Sequence, residues 1–166
     1  MLTFGRMAFL QPQSSDPWTR QPVFRAPAVV ISLIALLAAA HGARMLMPAN
    51  LSAEMIDQFA FIPARYSHAF LVTHNVDPGG WLARGVPFVS YMALHNDFTH
   101  LVINSLWLLA FGPIVARRFG GILCLLFFLV CGVAGALTHL AFDWGSLAPV
   151  IGASGAISGL MAAGLR

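Results

Sequence analysis

Residues 97–142 read DFTHLVINSLWLLAFGPIVARRFGGILCLLFFLVCGVAGALTHLAF. Two long apolar runs stand here, parted only by the short connection around Arg117-Arg118. Each is close to the roughly 20 residues an α-helix needs to cross a hydrocarbon core. Asp97 is a suitable N-cap, so a span is expected over about 97–116 and another over 121–142. Gly132 and Gly135 in the latter are small enough to let a neighbouring helix approach closely. Open backbone is not tolerated in lipid, and the fold class expected is an all-α membrane protein, a polytopic helical bundle.

Working outward, Ala28 to Met47 is a further apolar run of spanning length, with Pro27 at its start and Pro48 at its end. A secretory signal with Leu-Ala-Ala-Ala as its cleavage site competes for this run. The leading segment is too long for a signal n-region, and more spans follow. Residues 1–26, with Pro12, Pro17 and Pro22, are expected to be a largely disordered cytoplasmic tail. Residues 27–166 are expected to form the membrane domain, with spans at about 28–47, 97–116, 121–142 and an incomplete 152–166. The outer loop, 48–96, carries Leu51, Met55 and Phe59 on one helical face stopped by Pro63. Trp81, Phe88 and Tyr91 suit the headgroup level. The fourth run is short: from Ser154 to the last residue, at 1.5 Å each, it covers about 18 Å of a core of about 30 Å.

Composition agrees with the bilayer. Apolar residues are 58% and charged ones 9% of the chain, against roughly 45–50% and about 25% in soluble domains. The net charge of +3 comes from arginine alone, scattered singly, which excludes a nucleic-acid surface. Arginines report topology instead. Arg6, Arg20, Arg25, Arg117 and Arg118 fall on one side, and Arg44, Arg65 and Arg84 on the other. The positive-inside rule therefore predicts a cytoplasmic N-terminus and an outside 48–96 loop, in a bacterial-type inner or plasma membrane. Cys124 and Cys131 share a helix face and cannot bridge without destroying it. They lack a histidine pair for zinc and read as small buried apolar residues.

Polar groups inside spans are costly and default to function. His100 and Asn104 are four apart on one helix face, with His95 at the outer end of the same segment. Ser154 and Ser158 are four apart on the fourth run. The bland alternatives are a satisfied interfacial histidine for His95, an interhelical strut for Asn104, and a bond from Ser158 back to its own helix. A metal at His95 and His100 is excluded by the poor i, i+5 spacing and the lack of a further ligand; no cofactor is expected. A serine nucleophile needs an oxyanion hole and a base. In the predicted topology His100, Asn104 and Ser154 all lie about a turn below the outer surface. The Asn104 amide, the His100 ring and the Ser154 backbone N–H are suitable oxyanion donors. Gly155 and Gly159 make a smooth face against which another helix can bring a base, and they are expected to be half of a contact whose other half lies outside this chain.

His95-x4-His100-x3-Asn104, Phe111-Gly112, Arg117-Arg118-Phe119-Gly120 and Gly152-Ala153-Ser154-Gly155 together resemble the rhomboid intramembrane serine proteases. Phe61-Ile62-Pro63 is similar to bacterial members. The resemblance covers roughly 28–166, the front two-thirds of a six-helix core. It implies a Ser–His dyad with Ser154 as nucleophile, His100 and Asn104 supporting the oxyanion, and His95 as a structural and hydrogen-bonding residue beside Gly152, Gly155 and Gly159. It implies that the partners are the bilayer and the transmembrane segments of other membrane proteins, cleaved near the outer face where the substrate helix unwinds.

The sequence departs from the family pattern in several places. The family's base histidine lies on the sixth span, and no histidine follows Ser154; His139 sits on span three and is not expected to replace it. Ala116 stands where many rhomboids have glutamate, Trp81-Leu82-Ala83-Arg84 lacks the adjacent Trp-Arg, and Ser158 stands where an aromatic ring often packs. The chain as it stands is therefore expected to be inactive, a fragment of a protease. The alternative is a non-catalytic rhomboid-like pseudoprotease that binds transmembrane clients.

Overall fold

A computed structural model of the chain describes residues 26–75, 77 and 79–165. The disordered tail expected over 1–26 lies, but for its last residue, outside the described residues. The described part is a helical bundle, α1 (Ala28–Met45), α2 (Ala49–Phe59), α3 (His68–His74), α4 (Trp81–Gly85), α5 (Pro87–Ser90), α6 (Phe98–Phe119), α7 (Gly121–Phe142) and α8 (Ser154–Gly164). Single 3-10 turns lie at Pro63–Tyr66 and Tyr91–Ala93. Among the described residues, α1, α6 and α7 are long and apolar enough to cross a membrane.

Pro27 and Asp97 set where α1 and α6 begin, the first by its fixed φ, the second by capping. Gly120, at φ 88, separates α6 from α7 with a single residue, so the two run antiparallel. The common core joins Val30, Leu33 and Leu37 of α1 to Leu101, Leu108 and Val115 of α6, Phe128 and Ala136 of α7, and Ala156 and Leu160 of α8. Most remaining large apolar side chains of α6 and α7 face outward, Ile122 at 79% exposure among them. That outward face suits lipid, which does not penalise apolar exposure.

The helices approach most closely where glycines meet. A Cβ built on Gly135 would lie 3.4 Å from Gly155 Cα, and one on Gly155 3.6 Å from Gly135 Cα. One turn further along, a Cβ on Gly159 would run into Cys131. The partner of the Gly155–Gly159 face is therefore α7, within this chain. This corrects the expectation that the other half of the contact lies elsewhere: small residues on α7 had already supplied it.

The outer segment also differs from its sequence reading. α2 stops at Phe59, ahead of Pro63, because Phe61 leaves the helix to pair with Val150 through N–H···O bonds of 3.1 and 2.8 Å. Tyr91, expected to have one end wet, is buried, and Phe88 is half-buried. Tyr91 is 3% exposed, and both rings pack against Phe61 at centroid distances of 6.3 and 4.8 Å. Trp81, 80% exposed, does stand free.

Replacing Gly159 with valine is expected to cost about 1–3 kcal/mol by overpacking. Removing the Cys131 side chain (Cys131→Gly) in the same protein should restore part of the loss. Unfolding titrations in mixed micelles read both; a Gly159→Val protein as stable as the parent would refute the packing.

Candidate functional site

Asp97 is extended (φ −144, ψ 174), and its carboxylate accepts the His100 N–H at 2.9 Å. That bond caps α6, and it fixes where His100 stands in the first turn. The His100 N–H, aided by the Asn96 amide and the Thr99 N–H, holds the Asp97 carboxyl below the usual carboxylate range. One turn on, the buried Asn104 turns its amide back to the His100 carbonyl at 3.1 Å.

The chain returns to this face of α6 after α7. Ala64 N–H donates to the Ser146 carbonyl at 2.9 Å, and the Phe61–Val150 pair follows, so the outer segment holds the returning strand. Gly152 then donates its N–H to the Tyr91 carbonyl at 2.9 Å. Its φ of +114 is open to glycine and strained for other residues. A Cβ there would lie 2.7 Å from both Cε1 and Nε2 of His100 and 3.7 Å from Asn104 Nδ2. His100 and Asn104 are thus packed on the backbone of the turn that leads to Ser154.

Ser154 is exposed and is the first residue of α8. No side chain caps this helix from Ala153. The N–H groups of its first turn point out of the helix end, the electropositive end of the peptide dipoles. Ser158 donates to the Ser154 carbonyl at 2.9 Å, the back-bond to its own helix. His139 pairs with Asp143 at 3.1 Å, both lining an open groove of about 560 Å³ beside Gly155 and Ser158. Among the described residues no cluster of ligands suits a metal ion.

His95 is fully buried, its ring edge-on to His100 at a centroid distance of 5.1 Å. Neither ring nitrogen meets hydrogen-bond geometry with a described residue, although the Ala93 carbonyl is near enough to favour its proton slightly. Burial above all, then His100, His41 and Arg44, push its pKa from 6.5 down to about 4. His95 is expected to be a structural and hydrogen-bonding residue; among the described residues its ring is buried against His100.

Three further residues of this region stand where the sequence did not place them. Arg44, which the positive-inside rule counts as a topology charge, is 6% exposed and donates from Nη2 to the carbonyls of His95 and, at 2.9 Å, of Asn96. His41, one turn earlier on α1, is also buried. Their i, i+3 spacing on an otherwise apolar helix was the available signal, since two polar groups on one face mark a buried face. Tyr91 is the third: its hydroxyl donates to the Gly132 carbonyl at 2.7 Å and sits where a Cβ on Gly135 or Gly155 would touch it.

A depressed histidine pKa gives a signed pH dependence. Above pH 6.5 His95 is neutral in both the folded and unfolded chain and contributes nothing. Between about 6.5 and about 4 the unfolded chain binds a proton that the folded chain refuses, so stability falls as pH falls. Thermal midpoints in detergent should drop across that window, and the drop should be shallower in a His95→Gln protein. Parallel profiles would refute the buried neutral ring.

Residues 83–166 match the family model described as Rhomboid domain. Comparison with curated proteins gives no match. The matched stretch takes in α6, α7, α8 and the turn at Gly152, and so contains His95, Asp97, His100, Asn104 and Ser154, whereas His41, Arg44, Phe61 and Ala64 precede it.

Proposed function

The chain belongs to the rhomboid family, and from that premise we propose that it is an intramembrane serine endopeptidase acting on transmembrane segments of other membrane proteins. The family comprises intramembrane proteases and pseudoprotease relatives, and the chain is an integral membrane protein. The observation that carries the catalytic reading is the packing of His100 and Asn104 on Gly152, two residues before a serine at an uncapped helix start.

In this reading Ser154 Oγ attacks the scissile carbonyl and gives its proton to a general base. That base is not among the described residues; the resemblance implies a histidine on a later span. The carbonyl oxygen becomes an oxyanion that accepts hydrogen bonds from the Ser154 N–H, the Asn104 amide and the His100 ring. Asn104 would exchange its present bond to the His100 carbonyl for the oxyanion. Collapse of the tetrahedral adduct breaks the C–N bond, the base returns the proton to the leaving amine, and water then hydrolyses the acyl-serine. Gly152, Gly155 and Gly159 serve the reaction by letting α6 and α7 close on the serine turn. His95 serves as a packed neighbour of His100.

Arginine placement supports a cytoplasmic N-terminus, which puts the Ser154 end of α8 near the outer face of a bacterial-type membrane. Residues 27–166 are the membrane domain. The second reading is a pseudoprotease that holds transmembrane clients, which the family also comprises.

The test is cleavage of a transmembrane reporter by the protein expressed from its whole coding sequence. Ser154→Ala should abolish cleavage, and Asn104→Ala should slow it about 10²–10³-fold, the loss seen for one oxyanion donor. Normal cleavage by Ser154→Ala would sink the protease reading and leave the client-binding one.

A further inference from the structure

Arg44 is an expensive residue to bury. It lies in the last turn of a spanning helix, 6% exposed, and among the described residues its Nε has no partner. Among the described residues no carboxylate pairs with it. Its two hydrogen bonds go instead to two consecutive carbonyls, His95 and Asn96, which immediately precede the Asp97 cap of α6. Its place in the last turn of α1 suits a cation, since the C-terminal end of the helix dipole is negative, but that gain is small beside the loss of hydration. The two bonds to the His95 and Asn96 carbonyls are what a methionine of similar length could not make.

What the bonds hold is informative. Among the described residues neither ring nitrogen of His95 meets hydrogen-bond geometry, while two bonds from Arg44 reach its carbonyl and that of Asn96. The backbone at 95–96 is therefore tied down from α1, through Arg44. From there the chain of contacts is short: Asp97 accepts the His100 N–H at 2.9 Å, and the His100 ring lies against Gly152. A shift of the 95–96 backbone moves the cap, and with it the ring and the Asn104 amide on the same helix.

We propose that Arg44 is a positioning residue for the reaction. From α1 it sets the register of the α6 start, and so the placement of His100 and Asn104 against the Ser154 turn. The inference rests on the protease reading for its kinetic consequence, but its structural half can be read without any activity. One nitrogen of Arg44 makes both bonds, so lysine, an ammonium with three hydrogens, can replace it in part, whereas methionine cannot.

The experiment compares Arg44→Met and Arg44→Lys with the parent, in the protein from its whole coding sequence. Arg44→Met should lower kcat about 10–100-fold with KM within about twofold, because sub-ångström to 1 Å misplacement of oxyanion donors costs that much while substrate docking is untouched. Arg44→Lys should recover most of the rate. In histidine-labelled protein, NMR signals of the His95 and His100 rings should move in Arg44→Met while those of His139, on α7, stay in place. A folded Arg44→Met with normal kcat or unmoved His100 signals overturns the inference. So does an Arg44→Lys protein no better than Arg44→Met, or a change that moves His139 equally, which marks a general loosening. If the His100 signals move but the parent does not cleave, or Ser154→Ala cleaves as well as the parent, the protease reading fails and the positioning of α6 stands.

Discussion

The rest of the site depends on how closely the backbones of α7 and α8 approach at Gly135 and Gly155. Helices in lipid gain nothing from hiding apolar surface from one another, since the tails are equally apolar. Association must then come from dispersion contacts at short range and from polar bonds. Two facing glycines supply the first, with no Cβ between them. Tyr91 supplies the second, sending its hydroxyl to Gly132 beside the same contact. The phenol of an outer segment thus seals the joint between α7 and α8. Its carbonyl meanwhile receives Gly152. One residue both closes the joint and aligns the turn that leads to the serine.

The polar residues of this bundle gather where α1, the segment before α6 and the turn before α8 converge. His41, Arg44, His95 and Asn104 are all buried there. Removing an arginine or a histidine from water is opposed by several kcal/mol when the group ionises. The structure meets this in two ways. Arg44 donates to backbone carbonyls, while burial favours the neutral form of His95. An apolar cluster of the same volume would pack without such costs, so the arrangement is weak evidence of stability and stronger evidence of a requirement for those groups in that place.

How much of this was legible in the sequence follows from range. Helix lengths, the Asp97 cap and the Ser158 back-bond are set by residues within a turn of one another, and local spacing carries them. The membership of His100, Asn104 and Ser154 in one neighbourhood came from resemblance and from counting spans, not from periodicity. What failed was long-range pairing. Arg44 looked like a topology charge because its partners stand more than fifty residues away. Tyr91 looked like an interfacial ring because an aromatic beside a span has the same local pattern whether it faces lipid or a core. The Gly155–Gly159 face looked unpartnered because a row of small residues does not say which helix it meets. Gly135 and Cys131 stood in plain view on α7, and only the fold joined them to it.

The pair of hydrogen bonds between Phe61 and Val150 is the single piece of β-type pairing among the described residues. It has a kinetic meaning apart from geometry. Each amide is covered by the other residue's carbonyl, so neither can meet solvent unless both let go. The outer segment and the strand that leads to Ser154 therefore form one opening unit, and exchange at the Phe61 amide measures how often the approach to the serine comes loose.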